Sequence, residues 1–153
     1  MDKYKMTIEE EEYFYRITNP IINSFVFQKQ KEFIQHGKTT TYEHALNVAF
    51  CCYKYALHKK NYHLDDLIKG CLLHDLCLYD WHKLEGRKRF HGIRHPKIAL
   101  NNALKYFDLG KIAKNMIRAH MWPLTIFHFP RYKESWLLWK MDKKQSFIEI
   151  RRK

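Results

Sequence analysis

The chain is short of the residues that make turns. Its 153 residues include five Gly and four Pro, too few for the repeated tight turns of an all-β protein. No segment alternates apolar and polar residues convincingly enough to predict a strand. Four cysteines, Cys51, Cys52, Cys71 and Cys77, form no C-x-x-C pair and no framework spacing, which excludes a disulfide scaffold and makes them small buried hydrophobes. Long hydrophobic runs are missing too. The longest, such as Val48–Tyr53 and Gly70–Leu73, fall well below the ~20 apolar residues of a membrane-spanning helix. The first twelve residues are acidic and lack the apolar segment of a secretory signal. Over the whole chain acid is scarce: 16 Asp and Glu stand against 28 Lys and Arg, for a formal net charge of +12. The expectation is a cytoplasmic chain with no membrane partner. Its cationic surface suits phosphorylated small molecules, nucleic acid or anionic lipid without choosing among them.

What the chain does have points to an all-α fold in one compact domain spanning residues 1–153. A hydrophobic fraction of 46% and an aromatic fraction of 16% suffice for a packed core. The spacing predicts six to seven helices. Thr7 and the glutamates after it start the first, over residues 7–17, and Asn19–Pro20 breaks it. A second runs to about Gln35 and ends at Gly37. Thr40-x-x-Glu43 is a capping box that opens a third helix, with Leu46, Phe50, Tyr53 and Leu57 on its inner face. Asp65 caps a fourth, which carries Leu67, Ile68, Cys71 and Leu72 and reaches His74 and Asp75 near its end. Pro96 is read as the first residue of a fifth helix, over residues 97–107. A sixth covers residues 111–121. The last spans about 133–150, with Leu137, Leu138, Met141 and Ile148 toward the core. Residues 78–94 and 122–132 are expected to be irregular.

Ten histidines are the informative excess, because imidazole is the commonest metal ligand. His44 lies near the start of the third helix, and the pair His74–Asp75 closes the fourth. His95 opens the fifth, His120 closes the sixth, and Asp142 sits inside the last. Asp75 follows the apolar run Ile68–Leu73, so it emerges on the buried side, where an unpaired carboxylate is costly and a metal compensates it. His120 has a second reading as a cap on the last carbonyls of its helix, and His95 one as an N-cap beside Pro96. His91, four residues before His95, is a candidate to line the site or contact substrate.

The order His44 … His74–Asp75 … Asp142, in the contexts YEHALNVA, GCLLHDL and WKMDKKQ, resembles the HD superfamily of metal-dependent phosphohydrolases over roughly residues 36–146. HGIRHP and IRAHMWP are similar to the stretches that bring two further histidines in its dinuclear members. The GYP signature of the cyclic-dinucleotide enzymes is absent, since His120 is followed by MWPLT. The resemblance implies an HD-type helical bundle in which His44, His74, Asp75 and Asp142 hold one metal. It implies that His95 and His120 hold a second, with Asp75 bridging. Mixed imidazole and carboxylate donors suit transition metals, with Fe or Mn expected first and Ni, Co or Zn as alternatives. The implied reaction is attack of a metal-activated water on a phosphate ester or anhydride of a nucleotide-like substrate. A mixed-valence di-iron oxygenase of the same fold, or a non-catalytic domain that binds nucleotide or nucleic acid, is the alternative.

Stabilising the phosphoryl charge needs cations. Lys143 follows Asp142, Arg94 precedes His95, and Arg118 lies two residues before His120; Lys83, Arg87, Lys88 and Arg89 add charge in the loop. Asp75, Lys143 and Arg94 are therefore the expected catalytic residues. Arg94, Arg118, Lys143, His91 and Trp122 are the expected substrate contacts, with Tyr79 and Trp81 as further stacking candidates and His82 as a site-lining one. The partner is a phosphorylated small molecule of nucleotide type. Nucleic acid is less favoured, and the oligomeric state is left open.

Overall fold

The computed structural model describes residues 5–79 and 88–152, with the side chains of Lys88 and Arg89 excepted. Among these residues the chain forms seven α-helices and one two-stranded ribbon: α1 (Ile8–Ile22), α2 (Phe25–Gln28), a 3-10 turn (Lys29–Glu32), β1 (Ile34–His36), β2 (Thr39–Thr40), α3 (Thr41–His58), α4 (Leu64–Leu73), α5 (Lys88–Tyr106), α6 (Lys111–Ala119) and α7 (Lys133–Arg151). The all-α expectation holds. No described helix is long and apolar enough to cross a membrane.

Local chemistry sets most of the boundaries. Thr7 and Glu10 form a reciprocal capping box at α1, and Thr40 and Glu43 form another at α3. Helix α1 does not stop at Asn19–Pro20 but runs to Ile22. Pro20 sits in its last turn, where one lost N–H bond matters little and buried Thr18 and Ile21 hold the turn to the core. The second helix is shorter than its sequence implies, because Phe33 turns extended and the chain continues as the ribbon. Gly37, at φ 57°, makes the turn between the two strands. A β-carbon there would lie 2.9 Å from the Glu149 carbonyl oxygen, so the turn rests directly on the last part of α7. Asp65 stands inside the first turn of α4, where it favours the helix dipole; the cap itself is His63.

Helix α5 begins at Lys88, eight residues before the proline expected to start it. Proline within a helix costs one backbone bond, and Pro96 is tolerated here on a buried face with His95, Ala99 and Ala103. As a result His91 and His95 lie one turn apart on the same face.

The buried face of α3 is one position away from the expected one. It includes Ala45, Val48, Ala49, Cys52 and Ala56 together with the expected Tyr53, while Phe50 is exposed and Leu46 and Leu57 are half-buried. Small side chains on this face let α4 and α7 pack closely on either side of α3. The same holds across α4 and α6, where a β-carbon on Gly70 would lie 2.6 Å from Met116 Sδ. Close axes bring the side chains at the helix ends within reach of one another.

Candidate metal centre

Two helices end on a histidine in the same way. His74 is the C-cap of α4, and its Nδ1 lies 2.6 Å from the Cys71 carbonyl. His120 is the C-cap of α6, with Nδ1 2.7 Å from the Ile117 carbonyl. His95, inside α5, places Nδ1 2.9 Å from the His91 carbonyl. A carbonyl only accepts, so each Nδ1 carries the proton and each neutral ring keeps a bare lone pair on Nε2. Capping and ligation, alternatives for His120 in the sequence, are two ends of one ring. His44, in the first turn of α3, differs: its Nδ1 lies 2.8 Å from buried Glu149 Oε2.

All four Nε2 atoms point inward to two carboxylates. His44 Nε2 is 2.9 Å from Asp142 Oδ1 and 3.7 Å from Asp75 Oδ2. His74 Nε2 is 3.0 Å from Asp75 Oδ2 and 3.5 Å from Asp142 Oδ1. On the other side of Asp75, His95 and His120 place Nε2 3.2 Å and 3.4 Å from Oδ1, and 2.7 Å from each other. Two groups result: His44, His74, Asp75 and Asp142, and Asp75, His95 and His120. Within each, the donor atoms all lie within 4.8 Å of one another. Asp75 belongs to both.

The donor set fits a cation. His74 Nε2 is buried and makes no properly aligned hydrogen bond, although a carboxylate oxygen is close. Bare lone pairs facing carboxylate oxygens, and facing each other at His95 and His120, repel unless positive charge lies between them. The titration of the groups follows the same logic. Burial opposes charge on His44, but its bonds to Asp142 and Glu149 outweigh that and raise its pKa to about 9. Burial is likewise outweighed at His74, whose pKa the charges of Asp75 and Asp142 raise well above the usual value. Burial favours the neutral acids, yet the histidines hold Asp75 and Asp142 well below the ordinary carboxylate range. His120 goes the other way, lowered by burial.

The cluster floors a cleft of about 400 Å³. Asp75, Asp142 and His95 open onto it, Lys143 and His91 stand at its sides, and Phe147, Ile150 and Met121 form an apolar wall. Lys143 lies with Nζ 4.2 Å from the Trp139 ring centroid, and partial burial lowers its pKa.

The sequence pattern of the HD domain family matches residues 41–143. The chain belongs to this family. No curated protein and no solved structure matches it. The family is one of metal-dependent hydrolases, and the matched segment spans all six clustered ligand candidates, from His44 to Asp142. It stops short of Glu149, and Gln35 precedes it.

Those two residues hydrogen-bond to candidate ligands and lie outside the motifs that carry the ligand pattern. Gln35, on β1, donates from Nε2 to Asp75 Oδ2 at 2.9 Å and accepts from Thr41 Oγ1 at 3.2 Å. Glu149 had a usable signal: seven residues after Asp142, it lies on the same face of α7. His36, on β1, lines the cleft with its ring edge-on to His44, 5.7 Å between centroids. His91 is helical but lies outside the ligand groups; it stacks on His95 at 4.5 Å and pairs through Nδ1 with the Tyr79 hydroxyl at 2.9 Å. Arg94, Arg118 and Trp122 do not line the cleft. Arg94 is exposed, with its guanidinium over Phe90. Arg118 is partly buried, and Trp122 packs edge-on to Trp136. Trp81, His82, Lys83 and Arg87, and the side chains of Lys88 and Arg89, lie outside the described residues.

Proposed function

We propose that this HD domain is a phosphohydrolase or phosphodiesterase acting on the phosphate ester or anhydride of a nucleotide-like substrate, with two transition-metal ions, Fe or Mn first. The reading rests on one observation: six buried donors form two groups joined through Asp75, at the floor of a cleft flanked by Lys143. Nitrogen-rich donors with carboxylates favour Mn, Fe, Co, Ni or Zn over Mg or Ca. Ions bound there supply an acidified water and a counter-charge for the phosphoryl oxygens.

The chain's own residues do the rest. His44, His74, Asp75 and Asp142 hold the inner ion, and His95, His120 and Asp75 the outer one. Glu149 holds the His44 ring by Nδ1 and makes it a stronger donor. Gln35 fixes the Asp75 carboxylate by its amide. Lys143 supplies positive charge at the cleft side, where a phosphate oxygen binds. Burial raises the Tyr79 pKa, so the hydroxyl keeps its proton and donates to His91 Nδ1. His91 Nε2–H is then a donor for a second phosphate oxygen. The apolar wall of Phe147, Ile150 and Met121 accepts the flat face of a base.

Metal analysis of anaerobically purified protein, with turnover measured on nucleotides and dinucleoside polyphosphates, tests the reading. Two ions per chain and phosphate release that needs Lys143 support it. No turnover across the panel, combined with oxygen consumption by the iron-loaded protein, replaces it with the oxygenase reading. Nucleotide binding that is indifferent to metal replaces it with a non-catalytic domain.

A further inference from the structure

The segment between α6 and α7 presents a large apolar surface that stays exposed among the described residues. Ile126 is 70% exposed and Phe127 89%, with Leu124 at 50% and Phe129 at 48% beside them. Scattered single apolar residues are ordinary on a protein surface, but a contiguous cluster of this kind marks an interaction site. The cluster is held out by a built scaffold rather than left loose. The His128 amide donates to the Thr125 carbonyl at 3.0 Å, closing a tight turn with Ile126 and Phe127 at its tip. Thr125 and Pro130 are buried on either side. Asn115 of α6 clamps the far strand of the loop: its amide donates to the Phe129 carbonyl and its oxygen accepts from the Arg131 amide. Leu124 rests on Gly92 of α5, where a β-carbon would come within 2.6 Å of it.

Charge decides the occupant. From Leu109 to Ile148 there are eight Lys and Arg and two acids, Glu134 and Asp142. Both acids are buried, so within this stretch of chain the exposed charges are cationic. Lys114 adjoins the clamp, Arg131 lies over the Phe129 ring, and Lys140 is exposed on α7. A second copy of a chain with net charge +12 would bring like charge against like. Apolar side chains at a turn tip, with Arg131 on the loop itself and Lys114 next to its Asn115 clamp, match an anionic lipid surface: the tip enters the acyl boundary and the cations meet the headgroups. We infer that the 124–131 loop is a docking surface for anionic membranes, a peripheral contact that needs no membrane-spanning helix. The loop begins beside Met121, which lines the cleft, so docking sets the cleft close to the bilayer. This contact is independent of the hydrolase reading.

Flotation of the full chain with vesicles tests it, using phosphatidylglycerol mixed with phosphatidylcholine, and phosphatidylcholine alone. The protein is expected to float with the anionic vesicles and stay behind with the neutral ones. Ile126→Ser/Phe127→Ser keeps every charge and should weaken binding by at least about tenfold at unchanged melting temperature. Arg131→Glu should weaken it by about fivefold or more. Three results overturn the inference: no flotation, flotation undiminished in the double-serine variant, or a dimer in light scattering that the double-serine variant dissolves. Tight binding of single-stranded RNA that needs Phe127, without flotation, assigns the surface to nucleic acid and also overturns it.

Discussion

The two halves of the metal centre share Asp75 and are otherwise built differently. On the inner side, His44 is held by a carboxylate, Glu149, and shares Asp142 with His74. On the outer side, the Nδ1 atoms of His95 and His120 are held by backbone carbonyls, and among the described residues the pair meets no acid besides Asp75. The inner half concentrates negative charge and raises the pKa of both its imidazoles, whereas burial lowers that of His120. An acid behind an imidazole makes it a better donor. On the two-ion reading proposed above, an ion in the inner group is therefore expected to exchange more slowly than one in the outer group.

The sharpest way to break this contrast is Asp75→Ala. It should strip both ions and lower turnover by about 10²–10³-fold or more, read by elemental analysis and phosphate release. His120→Ala should remove the outer ion only; loss of both ions there would mean that the halves do not load separately. Glu149→Gln should weaken inner-ion affinity by roughly 10- to 100-fold while leaving outer loading unchanged, measured by titration against a competing chelator.

Acidity separates the halves further. In the metal-free protein the stabilisation from protonated His44 is whole below about pH 6.5 and is lost as pH rises through about 9. Inner loading must displace that proton and the one that His74 holds, so its affinity should rise by up to about tenfold per pH unit for each proton displaced. Outer loading, at a ring already neutral there, should rise less. Equal pH slopes for the two ions would erase the distinction. Gln35→Ala should have the smallest effect, a few-fold loss in affinity for both ions, because a water can replace the amide at Asp75.

The same contrast marks what the sequence makes legible. His74–Asp75 after a run of buried leucines, and the capping box ahead of His44, are local patterns, and both place their residues correctly on the fold. Helix α5 was cut short because a proline ordinarily opens a helix, and only packing shows that Pro96 lies inside one. Arg94 and Arg118 were drawn in by adjacency. Yet one or two residues along a helix turn a side chain by about 100° or 200°, which carries Arg94 away from His95 and Arg118 away from His120. The seven-residue step from Asp142 to Glu149 keeps direction and was the usable clue. Gln35 had none, since it reaches Asp75 by way of a ribbon whose turn depends on tertiary contact.

That turn has a consequence for inheritance. Gly37 lies two residues from Gln35 and presses on the Glu149 carbonyl. Exchanging its hydrogen for a methyl would push on the segments that carry Gln35 and Glu149 at once. A screen for lost function would then return a surface glycine that is itself no ligand, behaving as though the centre itself had been struck.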